Sequence, residues 1–330
     1  MKILLVRVSS LGDVLHNLPI VADILRHHPQ ARVDWVVEEG YVGLVALNPH
    51  VRKVIPFALR RWKKGLGNPA VRAELRAFFR DLRAEQYDYV FDTQGLIKTG
   101  IVMAAARVRP GGQKVGLANG TEDSGYEGIS RIFHTRSIPV APRTHAVARG
   151  RQVVAAALGY ALDTPPDFGL PAPPALHDGS QRPAWMPDEP YAVFFHGTAR
   201  DAKKWPAADW IALGRALAPL PVLLPWGSAR EKDEAQQLAA ALPNATVLPQ
   251  LPLMQAVALA RGAALAVGVD TGLTHIAAAF LTPTVEIYVD SPRWKTEGNW
   301  SERIVNLGDC GAPPAAAEVI AAARRLLGQT

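Results

Sequence analysis

The 330 residues contain one cysteine, Cys310. No intrachain disulfide can form, and the chain suits a reducing compartment. Cys310 lies near the chain's end in a small-residue context and reads as structural or incidental rather than as a reactive thiol. No apolar run approaches the ~20 residues that a membrane-spanning helix requires. The opening Met1-Lys2-Ile3-Leu4-Leu5-Val6-Arg7 has the look of an export signal only briefly. Its apolar part is short and is broken by Arg7 and Asp13, so it reads as a first buried strand, and a cytoplasmic protein is expected. Other absences exclude function classes. There is no G-x-x-x-x-G-K-[ST], hence no P-loop, and no G-x-G-x-x-G, hence no standard nicotinamide fingerprint. No Cys/His set has zinc spacing, and no G-x-S-x-G elbow marks a serine hydrolase.

What is present in excess is positive charge. Lys and Arg number 36 against 30 Asp and Glu, for a net +6 and a pI near 9.5, which invites an anionic partner. Arg60, Arg61, Lys63 and Lys64 surround Trp62, and Arg72, Arg76, Arg80 and Arg83 recur at helical spacing on one face. Two readings stand: a solvated helix face, or a patch for phosphates at a membrane surface. Nucleic acid is not the expected partner. No helix-turn-helix, zinc or RNP signature is present, and apart from Trp62 no stacking aromatics interleave the cations.

Short apolar runs alternate with helical patterns. Expected strands in the first half are Lys2–Val8, Val33–Val37, Lys53–Pro56, Tyr89–Asp92 and Lys114–Gly116. Expected helices are Leu15–Arg26, Tyr41–Leu47, Pro69–Glu85, Lys98–Arg107 and Ala146–Leu158. Residues 164–190 are proline-rich and read as a linker with an edge strand. The alternation restarts with strands Tyr191–His196, Pro221–Leu224, Ala245–Leu248, Ala264–Val269 and Thr284–Tyr288. Helices Ala207–Leu217, Ala229–Ala241, Leu253–Arg261 and Leu273–Phe280 lie among them. The alanine-rich tail Pro313–Leu327 is helical. The pattern specifies two doubly wound α/β domains, 1–163 and 191–312, with the 313–330 helix expected to pack back towards the N-terminal domain. In such sheets ligands lie at strand carboxyl ends, and one active site in a cleft between the two lobes is expected.

Polar turns follow several strands. Asp270-Thr271-Gly272-Leu273-Thr274-His275 links an apolar strand to a helix start, whose free N–H groups and positive dipole end attract phosphate. Ser9-Ser10-Leu11-Gly12-Asp13 is the sister turn after the first strand. Asp13 reads equally as a helix N-cap or as a general base, and Ser9 and Ser10 read as turn residues or hydroxyl ligands. His16 and His275 lie at helix starts, where a lone histidine is commonly structural. Lys203 follows the turn at His196-Gly197-Thr198 and is either a loop lysine or a point charge for a diphosphate. Glu231, early in a helix, either holds ribose hydroxyls or favours the helix N-terminus.

Taken together, Ser9–His16, Trp35–Glu39, Arg60-Arg61-Trp62, Asp92–Lys98, Pro225-Trp226-Gly227 and Val269–His275 resemble the lipopolysaccharide heptosyltransferases, glycosyltransferase family nine, in order along nearly the whole chain. The resemblance implies a GT-B fold of two Rossmann-like domains. It implies inverting transfer of L-glycero-D-manno-heptose from ADP-heptose to the Kdo residue of Kdo-lipid A, with a later inner-core acceptor or a nucleotide-sugar epimerase as alternatives. By the same likeness Asp13 is the catalytic base. Thr198, Lys203, Glu231, Leu251, Asp270, Thr271, Gly272, Leu273 and His275 bind the donor, and Ser10, Arg60, Arg61 and Lys64 meet the acceptor. The loop 117–131 departs from the family pattern in carrying Glu122 and Asp123, and Ala199 replaces a hydroxyl residue beside Thr198. No Asp-x-Asp motif accompanies the donor turn, so no cofactor and no essential metal is expected. The implied location is the cytoplasm, peripheral to the inner membrane of a Gram-negative bacterium.

Overall fold

The computed structural model describes residues 1–171 and 185–329. The chain divides into two compact units, Met1–Pro171 and Ala172–Thr330, so the change of unit falls inside the proline-rich stretch. Of that stretch, residues 172–184 lie outside the described residues, and the remainder forms no strand.

The first unit runs β1 (Lys2–Val6), α1 (Leu11–Asn17), α2 (Pro19–His27), β2 (Arg32–Glu38), α3 (Val42–Ala46), β3 (Val51–Phe57), α4 (Leu59–Gly65), α5 (Pro69–Leu82), β4 (Tyr87–Asp92), α6 (Ile97–Ala105), β5 (Val108–Leu117), β6 (Arg136–Ile138) and α7 (Ala146–Leu158). Its strands form one parallel sheet in the order β3-β2-β1-β4-β5-β6. β1 lies centrally, with Leu5 level with Trp35 on one side and Phe91 on the other. Ile3, Leu4, Leu5 and Val6 are buried, as a strand covered on both faces demands.

The second unit repeats the design with β7 (Ala192–Phe195), α8 (Ala207–Ala216), β8 (Val222–Leu224), α9 (Ala229–Ala241), β9 (Ala245–Val247), α10 (Leu253–Gly262), β10 (Leu265–Val269), α11 (Gly272–Ala279), β11 (Thr284–Tyr288), β12 (Ile304–Gly308) and α12 (Ala316–Leu326). The sheet order β12-β11-β10-β7-β8-β9 is the same winding seen from the other edge. In each sheet the winding reverses between the first and fourth strands, β1 and β4 or β7 and β10. That reversal opens a crevice at the strand carboxyl ends where doubly wound folds bind ligands.

Several expectations are revised. The single helix expected over Leu15–Arg26 is two, because Pro19 has no N–H to continue α1 and instead begins α2 at its first position. α4, β6 and β12 were not foreseen; β6 has only three residues and β12 is partly exposed, so neither presents a clear apolar run. Within the second unit, Val319, Ala322 and Ala323 of α12 join the core with Trp210 and Leu213 of α8, and Arg324 donates to the Ala216 carbonyl.

Candidate functional site

In the first unit the turn after β1 is built around a helix start. Ser10 is the N-cap of α1, and Asp13 stands three residues on. Asp13 Oδ2 accepts from the Ser10 backbone N–H at 3.1 Å and from Ser10 Oγ at 2.9 Å. Asp13 is therefore the reciprocal partner of a capping box and not itself the cap. Its other oxygen, Oδ1, meets two arginines: an Nη of Arg7 at 2.6 Å and one of Arg149 at 3.7 Å. The two guanidiniums are 3% and 6% exposed, whereas the Asp13 side chain is 35% exposed, so the carboxylate is the part of the cluster that solvent reaches. Arg7 is also held by the Thr93 carbonyl at 2.7 Å, and Arg149 by Thr121 Oγ1 at 2.9 Å. Burial pushes the Asp13 pKa up. The charges of Arg7 and Arg149, then that of His16 and the Ser10 hydrogen bond, outweigh it and hold the carboxyl well below the usual range.

The turn after β4 is laced to this one. Buried Asp92 accepts from the N–H groups of Gln94 and Gly95 at 2.9 and 3.0 Å and from Thr99 Oγ1 at 2.8 Å; burial raises its pKa. Gly95 closes the turn at φ +72°, a conformation that costs other residues energy. Gln94 then accepts from the Val8 N–H at 3.0 Å, and Lys98 Nζ donates to Ser9 Oγ at 2.9 Å. On α4, Arg61 is committed to Glu39 and Glu74 at 2.8 and 2.6 Å. Arg60 is 78% exposed, 3.5 Å from Glu38, and Lys64 is exposed. Of the three expected acceptor cations, Arg60 and Lys64 thus face solvent while Arg61 braces α4 against its neighbours.

In the second unit the turn from β10 to α11 holds a four-charge network. His275 donates from Nε2 to Asp270 Oδ1 at 2.9 Å and from Nδ1 to Glu286 Oε1 at 2.9 Å. Lys203 pairs with Asp270 Oδ2, and Thr296 Oγ1 lies 3.3 Å from Oδ1. Glu286, wholly buried in β11, is further satisfied by Tyr288 Oη at 3.0 Å and the Gly298 N–H at 2.8 Å. Burial alone would lower the His275 pKa; the two carboxylates outweigh it and push it up to about 10, so the ring is an imidazolium at neutral pH. Asp270 is held well below the carboxylate range, burial being overcome by His275 and Lys203. With both its oxygens engaged, Asp270 positions the two cations. What is left for an anion is the Lys203 ammonium, 17% exposed, and the free N–H groups at the start of α11, where Thr271 is the N-cap. Gly268 is required here, because a Cβ would overlap Thr274 Oγ1, which ties α11 to the Val269 carbonyl at 2.8 Å.

The other expected donor residues occupy neighbouring turns of the same unit. Thr198 is half-buried after β7. Beside it Gly197 makes room for Glu231, since a Cβ there would lie 2.7 Å from Glu231 Cδ. Glu231 Oε2 accepts from the N–H groups of Gly227 and Ser228 at 2.7 and 3.0 Å, closing the capping box of α9. Leu251 is half-buried after β9, next to Gln250, whose amide reaches the Gly227 carbonyl at 3.4 Å. Leu273 lies in the first turn of α11. Among the described residues, no group of three or more His, Cys, Asp or Glu side chains is arranged to hold a metal ion.

Residue-level reading of the sequence missed Arg7, Arg149, Gln94, Lys98 and Glu286. Arg7 and Glu286 did leave a signal, a charge set at the end of or inside an otherwise apolar strand, which burial makes costly unless it is paired. Arg149 left none, since arginines are common in helices.

Two parallel sheets of the same winding, each with a polar turn at its reversal point and the second with an anion-seeking helix start, define an α/β glycosyltransferase of the GT-B class. Residues 75–319 match the family model of glycosyltransferase family 9 (heptosyltransferase), and the chain belongs to that family. It is 42% identical over 291 residues to lipopolysaccharide heptosyltransferase 1 of Pseudomonas aeruginosa, covering 87% of this chain and 78% of that one. Among solved structures it resembles E. coli heptosyltransferase WaaC with ADP, at a TM-score of 0.83 and 32% identity over 99% of this chain and 100% of the other. The same enzyme with ADP-2-deoxy-2-fluoro heptose matches at a TM-score of 0.76 and 33% identity, covering 98% of each chain.

Proposed function

We propose that this enzyme transfers L-glycero-D-manno-heptose from ADP-heptose to the Kdo residue of Kdo-lipid A, with inversion at the anomeric carbon. The reading rests on the likeness over 291 residues to lipopolysaccharide heptosyltransferase 1. The geometry of each unit supports it. Asp13 is the exposed carboxylate of the first unit's reversal point, placed to take the Kdo hydroxyl proton as that oxygen bonds to the anomeric carbon. The nearby arginines make Asp13 a weak base. It suffices when the proton leaves late, because a hydroxyl that has begun to bond to an oxocarbenium-like carbon is far more acidic than a carboxylic acid. As the bond to the diphosphate breaks, ADP carries the electron pair away. Lys203 and the N–H groups opening α11 stabilise that charge, with His275 holding Asp270 and through it Lys203. These fixed cations take the part a divalent metal plays elsewhere, so no metal is required.

The acceptor places the enzyme at the cytoplasmic face of the inner membrane. No helix among the described residues is long and apolar enough to cross a membrane. Arg60, Lys64, Arg72 and Arg76, all exposed, are the groups for salt-sensitive contact with an anionic surface. The test is to supply purified enzyme with ADP-heptose and Kdo-lipid A, following ADP release and the mass of the lipid. Gain of one heptose confirms the reading. Product formed without any acceptor would indicate an epimerase, and transfer only to an already heptosylated core would move the enzyme to a later step.

A further inference from the structure

We propose that the groove formed by α4, α5 and α6 of the first unit binds one saturated acyl chain of the phosphorylated glycolipid acceptor. This extends the acceptor reading above and rests on it. The groove has a volume of about 550 Å³. Its floor is aromatic: Trp62 and Phe78, both buried, stand 5.3 Å apart between ring centres, and each meets Phe57 at 5.6 and 5.4 Å. Phe79, Ile97, Ile101 and Val102 form its sides.

Ile97 and Ile101 are 42% and 50% exposed and stand one helical turn apart on α6. The turn Gly128–Phe133 packs against α6, its Phe133 ring lying where a Cβ on Gly100 would be. It carries Ile129 and Ile132, 58% and 71% exposed. Of the seven exposed large apolar side chains among the described residues, Ile97 and Ile101 line the groove, and Ile129 and Ile132 stand on the turn that packs against the same helix.

The charges favour a chain with an anionic head over a neutral one. Lys63 and Lys98 line the groove, and Arg60 and Lys64 stand on the same helix as Lys63. The one carboxylate in the lining, Glu127, is occupied in accepting from the Ile97 N–H at 2.6 Å, which caps α6. One lining residue also ties the groove to the turn that carries Asp13. Lys98 lines it and donates to Ser9 Oγ at 2.9 Å, and the next residue, Ser10, holds Asp13. A lipid whose chain fills the groove therefore brings its polar end towards the base.

Alkyl phosphates below their micelle concentration provide the probe, with binding to the full-length chain measured by calorimetry. Each buried methylene contributes up to about fourfold in affinity. Dodecyl phosphate is expected to bind at least about 30-fold more tightly than hexyl phosphate, and Ile101→Asp to abolish that preference while leaving inorganic phosphate binding unchanged. Ile101 is half exposed, so the variant is expected to keep its melting temperature. In turnover, Ile101→Asp should raise KM for the acylated acceptor about tenfold and leave KM unchanged for ADP-heptose and for the fully deacylated Kdo-disaccharide. Affinity independent of chain length overturns the proposal. So does loss of binding to anionic vesicles in Ile101→Asp when monomeric dodecyl phosphate does not bind the native chain, which would make the patch a bilayer contact. Chain-length-dependent binding without any heptose transfer would leave the groove standing and refute the acceptor reading instead.

Discussion

Replacing Asp13 with Asn preserves the side chain's shape and an acceptor for Ser10 but removes its charge, and two effects of different size should follow. Loss of the proton acceptor should lower kcat by roughly 10²–10⁴-fold. The second effect is structural, because Arg7 and Arg149, 3% and 6% exposed, lose their counter-ion. Removing one member of a fully buried pair costs ~3–5 kcal/mol, whereas exposed pairs are worth at most ~1 kcal/mol. Asp13 is itself 35% exposed, and each arginine keeps a second acceptor, on Thr93 or Thr121. The expected loss is therefore about 1–2 kcal/mol, or a fall in Tm of roughly 2–8 °C for a unit of this size. Because the folded state lowers the Asp13 pKa, this stabilisation is present above the unfolded value of ~3.9 and fades as pH falls through the lower folded value. The Tm gap between native and Asp13→Asn should thus persist from pH 8 to 5 and close only in stronger acid. Initial rates of acceptor-dependent ADP release at 25 °C, beside thermal melting, separate the two effects. Adding Arg149→Met removes the stranded cation and should recover much of the melting temperature but not the rate. If Asp13→Asn keeps its rate within about threefold of native, or if the double variant regains it, Asp13 serves the fold and not the chemistry.

Four further outcomes are expected. Lys203→Ala should weaken ADP and ADP-heptose binding at least tenfold in calorimetry, the scale of a lost charge-assisted contact, with little change in KM for the acceptor; equal donor affinity would make the lysine a structural partner of Asp270 alone. Arg60→Glu with Lys64→Glu should raise KM for Kdo-lipid A in a salt-dependent way without altering melting, whereas Arg61→Ala, which breaks the pairs to Glu39 and Glu74, should leave that KM nearly unchanged. The raised pKa of His275 means that its contribution to stability is complete below ~6.5 and is lost as pH rises through about 10. The melting temperature of native protein should therefore fall between pH 9 and 11 more steeply than that of His275→Gln, and parallel curves would show the ring to be neutral. Chelators should leave turnover intact after exhaustive dialysis; loss of rate restored by a divalent ion would refute metal independence.

Much of the fold was legible in the chain because parallel sheets buried on both faces require short apolar strands with helices between them, and Leu4, Val267 and their neighbours write that pattern plainly. The polar turns at Ser9–Asp13 and Asp270–His275 were legible for the same reason, as they interrupt it. Where the pattern weakened, so did the reading: β12 is partly exposed, and Pro19 divides a helix within an unbroken amphipathic run. Composition and periodicity by themselves determined two doubly wound units and the turns that carry their chemistry, since burial and backbone geometry act locally on residue type. Only the tertiary structure decided which charges meet. It set Arg149 of α7 against Asp13 of α1 and Glu286 of β11 against His275 of α11, engaged both oxygens of Asp270 with Lys203 and His275, and left Arg60 mostly exposed beside Glu38 while committing Arg61 to two carboxylates. Electrostatic pairing depends on distance in space and on exclusion of water, and neither is written in the order of residues along the chain.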